Sequence, residues 1–317
     1  MPSKKSRIKH ELYAEIAKER KYGEKRHEAK QEEMRKAIET GEGYQQPRGI
    51  YSYETEATYK RQSITFIDWV LNNHSEVRCL DDAKKYVGEY LESCKDKGLS
   101  PATVKTYAHA LACAYHCNVS DFEVEIPRVS RDDIKRTRNV DSSSFSPETQ
   151  DIHDFASATG ARREGLRNLR TDCLRETDSG NLEIYLDEKG GKARWARVVA
   201  GKKEFVRSIV NAAKERNFLR GDGCMKVFPD NVIPSKEALH QHRHEYAKSL
   251  YDEVMRSGEY KIADRPLYRC RGSRLGQVFN RTALAIVSLN LGHGQPGELP
   301  HEVKRVGVVV NNYLYED

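Results

Sequence analysis

Residues 182–199, LEIYLDEKGGKARWARVV, contain two short β-prone runs on either side of a polar turn with two glycines. The runs LEIYL at 182–186 and ARWARVV at 193–199 are rich in branched and aromatic side chains, which favour strands. The segment DEKGGK between them has the composition of a hairpin turn. The pattern predicts a β-hairpin within a domain that is otherwise helical.

The sequence around this hairpin has helical spacing. Ser146 followed by Pro147 is typical of a helix start, an N-cap with proline at the first helical position. The apolar period then predicts helices at about 146–158, 161–170, 202–217, 235–257, 272–289 and 302–315. The fold class is therefore mainly α with a small β-hairpin or sheet.

The first half of the chain divides into three segments. Residues 1–46 are dominated by Lys, Arg and Glu, and predict a charged helical extension with no core of its own, which is either simply solvated or an arm that contacts phosphates or a second protomer through Lys4, Lys5, Arg7 and Lys9. Residues 50–126 have amphipathic spacing and predict a helical bundle, and 127–144 have the composition of a linker before a domain at 145–317. Polar side chains of the bundle and linker are candidates for DNA contact: Lys105, Thr106, Arg128, Arg131, Lys135, Arg136 and Arg138.

Composition restricts the class of protein further. The chain has 317 residues, of which 38% are hydrophobic and 32% charged, so it can bury a core and favours two domains over one. The net charge of +6 indicates a modest preference for polyanions. No apolar run approaches the roughly 18 residues that span a bilayer. The seven scattered cysteines indicate neither disulfides nor zinc. We expect no metal, no membrane association, and a location in the cytoplasm or nucleoid.

Cationic and imidazole groups occur in separate segments of 145–317 and are followed by two tyrosines. They are Arg162, Lys189, His240 with Arg243, His293, and finally Tyr313 and Tyr315. Each of these residues alone is weak evidence of a functional site, since a single arginine at a helix start is usually a surface charge or part of a structural ion pair.

Taken in order, these segments resemble the signature motifs of the tyrosine recombinase (phage integrase) family. The motifs are T-G-x-R at Thr159–Arg162, K-G-x-K-x-R at Lys189–Arg194, H-x-x-R-H at His240–His244, L-G-H at Leu291–His293, and the closing N-N-Y-L at 311–314. The resemblance covers about 146–317, and GLSPATVKTYAHAL at 98–111 is similar to part of the family's core-binding domain.

The resemblance implies a site-specific DNA recombinase that cleaves and rejoins DNA through a covalent 3′-phosphotyrosine, without a cofactor. It implies a nucleophile at Tyr313, with Tyr315 as the alternative, phosphate contacts from Arg162 and Arg243, further donors from His240 and His293, and a general acid at Lys189. Lys192 and Arg194 on the hairpin would contact DNA. The implied partners are double-stranded DNA, a homo-tetramer assembled on it, and accessory proteins that bend DNA or set direction, in the service of a mobile element.

Two departures from the family pattern are visible. The family has an acidic residue three positions after the first arginine, whereas this chain has Gly165 there and Glu164 one residue earlier. Tyr313 follows His293 by 20 positions, a longer spacing than usual, and the intervening GQPGELPHEV predicts a loop that leaves the tyrosine helix unusually free.

Two other functions fit the same residues. A type IB topoisomerase shares the residue set, although His240 favours a recombinase because topoisomerases commonly have lysine there. A non-catalytic DNA-binding accessory protein, or an integrase that has lost activity, is the other. Whether the tyrosine acts in cis or in trans stays open.

Overall fold

The fold is described from a computed structural model. It describes residues 3–129, 146–188, 192–220, 225–233, 239–258, 267–271, 274–294 and 298–314. The chain separates into two compact units, Met1–Lys135 and Arg136–Asp317. Within the described ranges, no helix combines the length and apolar content that a membrane crossing needs.

The first unit is a helical bundle. Serine side chains at 3, 52 and 100 cap the starts of three of its helices by accepting a hydrogen bond from a backbone N–H in the first turn. The helices are α1 (Lys4–Lys18), α2 (Arg26–Thr40), α3 (Tyr53–Asn73), α4 (Leu80–Lys84), α5 (Val87–Asp96) and α6 (Pro101–Ala114).

The N-terminal segment differs from the prediction of a solvated extension. It forms two helices, and the first buries Ile8, Leu12 and Ile16 completely within the core of the bundle. These residues recur every four positions and so form a stripe along one face of α1, which packs against α3 and α6. The prediction relied on the high charge of the segment and overlooked this stripe. Only α2, which buries no residue, fits the expectation of a solvated helix.

The second unit is mainly helical with two small antiparallel sheets. Its elements are α7 (Pro147–Thr159), α8 (Arg163–Arg167), β1 (Leu174–Glu176), β2 (Leu182–Glu188), β3 (Lys192–Arg197), α9 (Lys203–Arg220), α10 (Leu239–Ser257), β4 (Leu267–Arg269), β5 (Val278–Asn280), α11 (Arg281–Asn290) and α12 (Gly307–Tyr313). A helix is present in each segment predicted around the hairpin, but α8 is shorter than the predicted 161–170, and the helices predicted at 272–289 and 302–315 begin later than expected. The predicted start at 235 lies outside the described residues.

The hairpin at 182–199 is confirmed as strands β2 and β3, which pair antiparallel with Tyr185 opposite Trp195. Strand β1 adds a third strand on the other side of β2, which the sequence did not predict. Alternate residues of β2 face the core, so Leu182, Ile184 and Leu186 are buried on one face. The same alternation turns Glu188 inward.

The helix predicted at 272–289 begins later than expected. Strands β4 and β5 form a hairpin at 267–280, and α11 starts only after Asn280, whose side chain accepts a hydrogen bond from the Ala283 N–H at 2.9 Å. Gly276 has a φ of +98°, which a helix cannot contain. Apolar spacing alone therefore placed the helix start too early.

The core of the second unit has two parts. One lies between α7, the three-stranded sheet and α9, and the other lies between α10, α11 and α12. Helix α10 also packs against α7, so the two parts meet along these helices.

Candidate active site

Arg162 lies in the turn between α7 and α8. Gly160 ends α7 with a φ of +65°, and a side chain there would place its Cβ 2.5 Å from the ring of Tyr246. Both features require glycine. Arg162 follows in extended conformation directly before α8, and its side chain is 31% exposed, so the guanidinium lies partly open to solvent.

Arg243 projects from α10 and is almost completely buried, with 1% of its side chain exposed. Its Nη1 donates to the carbonyl oxygen of Gly160, and its Nη2 donates to that of Leu291 at 2.8 Å. Burial lowers the pKa of this guanidinium, while Tyr313 and Glu188 oppose that shift, and arginine stays a cation at any ordinary pH. Among the described residues, no acceptor pairs with its buried Nε.

Glu188 is the carboxylate between these arginines, and its side chain has no solvent exposure. Its Oε1 accepts from the backbone N–H of Arg162 at 2.7 Å, and its Oε2 accepts from Nη1 of the same residue. Oε2 also accepts from Nη1 of Arg194 at 2.6 Å, and Nη1 of Arg243 lies 3.8 Å from Oε1. Burial alone would raise the pKa of Glu188, but Arg194, Arg243 and Arg162 outweigh it and lower that pKa. The group is therefore an anion.

Arg194 joins the hairpin to the turn after α11. Its Nε donates to the carbonyl oxygen of Asn290 at 2.7 Å. Gly292, in the L-G-H motif, has a φ of +72°, and a Cβ there would lie 3.1 Å from Nη1 of Arg194. The glycine of this motif thus allows the turn that precedes His293 to approach the hairpin.

His293 and Tyr313 lie beside Arg243. The rings of His293 and Tyr313 have centroids 5.7 Å apart, and Cζ of Arg243 is 5.6 Å from the centroid of the Tyr313 ring. Only 6% of Tyr313 is exposed. The phenol therefore lies within the same cluster as the buried guanidinium.

Helix α12, which carries Tyr313, is held by the hairpin β4–β5. Arg274 donates from Nη1 to the carbonyl oxygen of Val310 at 2.6 Å, and from Nη2 to that of Leu314. At the other end, a Cβ on Gly307 would lie 2.6 Å from the hydroxyl of Tyr268, so this glycine allows a close approach. The expectation of an unusually free tyrosine helix is not met, because α12 packs into the core and Arg274 bonds the carbonyl oxygens of Val310 and Leu314.

Four of the six residues predicted to be catalytic come together here: Arg162, Arg243, His293 and Tyr313. Lys189 and the alternative nucleophile Tyr315 lie outside the described residues. His240 belongs to the first turn of α10 by its backbone, and the description does not extend to its side chain. The charge clustered here also comes from Glu188, a residue that the sequence analysis did not single out.

The residues predicted to bind DNA have various surroundings. Lys105 and Arg128 are exposed in the first unit, and Thr106 bonds the carbonyl oxygen of Ala102 at 2.7 Å within α6. Arg194 corrects the prediction, because only 9% of its side chain is exposed and its donors pair with protein groups instead of facing solvent. The remaining candidates lie outside the described residues or have undescribed side chains: Arg131, Lys135, Arg136, Arg138 and Lys192.

The sequence contains two signals that could have identified Glu188. Glu188 is the fourth inward position of β2 counted from Leu182, so strand alternation alone places it on the core face. The absence of an acid at position 165 is the second signal, because the arginine before α8 still needs a counter-charge. Arg274 carries no comparable signal, since its hairpin was predicted as helix.

No protein-family model matches the chain, and no curated protein matches it. Similar folds occur among solved structures. XerH site-specific recombinase bound to palindromic difH substrate, a post-cleavage complex, is 15% identical with a TM-score of 0.50, and the match covers 97% of this chain and 92% of that one.

Two further solved structures have lower structural similarity to this chain. A pre-cleavage complex of XerH with difH substrate is 15% identical over 91% of this chain and 89% of that one, with a TM-score of 0.47. XerA recombinase is 14% identical over 97% and 94%, with a TM-score of 0.32. The fold similarity rests on the first complex alone. The chain has a mainly helical fold with a small antiparallel sheet, and this fold is similar to that of the XerH site-specific recombinase.

Proposed function

We propose that this protein is a site-specific DNA recombinase that cleaves and rejoins double-stranded DNA through a 3′-phosphotyrosine formed on Tyr313. The observation that carries the proposal is the cluster in which Arg243 and His293 lie beside that phenol, while Arg162 is joined to Arg243 through Glu188. A fold similar to that of XerH, which was solved bound to its difH substrate, supports DNA as the partner.

The unpaired Nε of Arg243 is consistent with binding of an oxyanion. A buried donor without an acceptor costs about 1–3 kcal/mol. Nη1 and Nη2 are oriented by two backbone carbonyls, so the guanidinium is fixed before any substrate arrives. A phosphate oxygen that reached Nε would satisfy this donor with a charge-assisted hydrogen bond.

The proposed reaction is a transesterification that conserves bond energy. The phenol oxygen of Tyr313 attacks phosphorus as its proton passes to the neighbouring imidazole of His293 or to solvent. The bond from phosphorus to the 5′ oxygen breaks, and Lys189 supplies a proton to that oxygen. Arg162 and Arg243 donate to the non-bridging oxygens, where negative charge builds up in the five-coordinate state. Attack by a 5′ hydroxyl on the phosphotyrosine reverses these steps and rejoins a strand.

Tyr313 lies next to Arg243 and His293 of its own chain, which favours a nucleophile that acts in cis. Exchange between two duplexes requires cleavage of four strands. A homo-tetramer on two DNA molecules, acting for a mobile element and assisted by accessory DNA-bending proteins, is therefore part of the proposal.

The test is covalent capture on a nicked suicide substrate that carries the chain's own target site, which can be mapped in DNA flanking the gene. The wild-type protein should form a denaturant-resistant adduct, and Tyr313→Phe should form none while binding the same DNA. Tyr315→Phe is the matched control, and it should form the adduct as the wild-type protein does.

Undiminished adduct with Tyr313→Phe would refute the assignment of the nucleophile, and no adduct with the wild-type protein would refute the proposed function. Relaxation of a supercoiled plasmid that lacks the site would indicate a topoisomerase instead.

A further inference from the structure

One buried carboxylate is shared by three arginines in the cluster. Glu188 accepts from the backbone and side chain of Arg162 and from the side chain of Arg194, and Nη1 of Arg243 lies 3.8 Å away. No solvent reaches this carboxylate, so its electrostatic interactions are only weakly screened. Each of the three guanidinium groups therefore depends on the same counter-charge.

Space for Glu188 is provided by a glycine on α8. A Cβ at Gly165 would lie 3.1 Å from Cγ of Glu188 and 3.3 Å from its Oε1. Its φ lies outside the left-handed region, so the backbone conformation does not require glycine there. A side chain at 165 would instead require the Glu188 side chain to shift by a few tenths of an ångström.

Glu188 is also the residue next to Lys189 in the chain. It ends β2, and its inward orientation follows from the alternation that buries Leu186. The contacts of Glu188 therefore tie the end of this strand to Arg162.

We propose that Glu188 is a positioning residue for strand cleavage, and that it supplies from β2 the counter-charge that position 165 on α8 lacks. The proposal rests on the proposed function. Three guanidinium cations against one carboxylate leave two net positive charges in the cluster. A phosphodiester is a monoanion that gains negative charge on the way to the five-coordinate state, so this surplus favours that state over the ground state.

The first experiment separates cleavage from DNA binding in Glu188→Gln. Glutamine keeps the size of the side chain but removes the charge and directs an NH₂ group at guanidinium donors. Single-turnover cleavage of the suicide substrate at saturating protein should fall by about 10²-fold or more, while DNA affinity stays close to that of the wild-type protein. Glu183→Gln is the matched control, because Glu183 lies on the opposite face of the same strand, where its carboxylate accepts from Nε of Arg175 at 2.8 Å. It should cleave like the wild-type protein.

The second experiment places the carboxylate on α8, at position 165, instead of on β2. Glu188→Ala and Gly165→Glu should each cleave poorly, the first for lack of the anion and the second because the two side chains collide. The double variant Gly165→Glu with Glu188→Ala fills the vacated volume with a carboxylate from the other side. We expect it to cleave faster than either single variant by about tenfold or more.

Three results would overturn the proposal. They are wild-type cleavage by Glu188→Gln, a double variant that regains thermal stability without regaining cleavage, and a double variant no faster than the single variants. In each of these cases the wild-type protein still forms its adduct, so the proposed function stands. Absence of the wild-type adduct would refute the proposed function and this role of Glu188 together.

Discussion

Replacing Arg274 by alanine should loosen the helix that carries Tyr313. The Arg274 guanidinium donates to the carbonyl oxygens of Val310, in the last turn of α12, and of Leu314, the residue after it. Carbonyl groups at a helix C-terminus have no partner within the helix, so these bonds come from outside it. A helix of seven residues has only marginal stability without tertiary contacts, so the loss of these two hydrogen bonds should destabilise α12 locally.

The expected magnitude follows from these two bonds. Each charge-assisted hydrogen bond contributes about 1.5–3 kcal/mol, and a cation at a helix C-terminus adds about 0.3–1 kcal/mol. Water partly replaces both bonds, because Arg274 is only half-buried. We expect local opening of α12 to become easier by about 2–3 kcal/mol, which corresponds to about 30- to 140-fold faster amide exchange.

Hydrogen exchange read by mass spectrometry over the peptide 307–314 measures this effect directly. The amide of Leu314, bonded to the carbonyl oxygen of Val309 at 3.1 Å, is the most informative site. Arg269→Ala is the matched control, because Arg269 is an exposed arginine on the same hairpin. Equal exchange of this peptide in Arg274→Ala and the wild-type protein would show that the hairpin does not hold α12.

Two further predictions concern the stability of each unit. Gly160→Ala combines left-handed backbone strain with a Cβ 2.5 Å from the Tyr246 ring, so we expect a loss of about 2–5 kcal/mol in urea unfolding; a loss below about 1 kcal/mol would contradict the geometry. Hydrogen bonds from Arg20, opposed by burial and reinforced by Lys60, lower the pKa of Glu56 from 4.5 to about 2. The ionised carboxylate therefore stabilises the folded state fully above pH 4.5, and this stabilisation is lost as the pH falls toward 2. Because solvent screens the 45% exposed Arg20, Glu56→Gln should cost only about 1–2 kcal/mol at pH 7 and less than half of that at pH 3, and a cost independent of pH would contradict the ion pair.

Much of the fold could be predicted because local signals agreed with tertiary packing. The hairpin at 182–199 and the helix that starts at Pro147 have strong propensities and clear boundary residues. The errors occurred where the average composition concealed a short pattern. Helix α1 is highly charged, yet three isoleucine and leucine residues in register are enough to bury one face.

The candidate site was predictable in part, for a different reason. Short motifs identified Arg162 and Tyr313, because their chemistry depends on the side chain itself. Glu188 and Arg274 contact these parts of the site from elements that are distant in sequence. Glu188 is separated from Arg162 by 26 positions, and Arg274 is separated from Val310 by 36. A single sequence contains no direct measure of such pairings.

The inward position of Glu188 at the end of β2 limits how the hairpin can change length. An insertion or deletion of one residue between Leu182 and Glu188 would reverse the faces of every position after it, bringing Asp187 or its neighbour into the arginine cluster in a different register. Changes of two residues would preserve the faces but would move the carboxylate by about 6–7 Å along the strand. Variation in hairpin length should therefore be confined to the turn between β2 and β3, because changes within either strand would shift Glu188 or its partner Arg194.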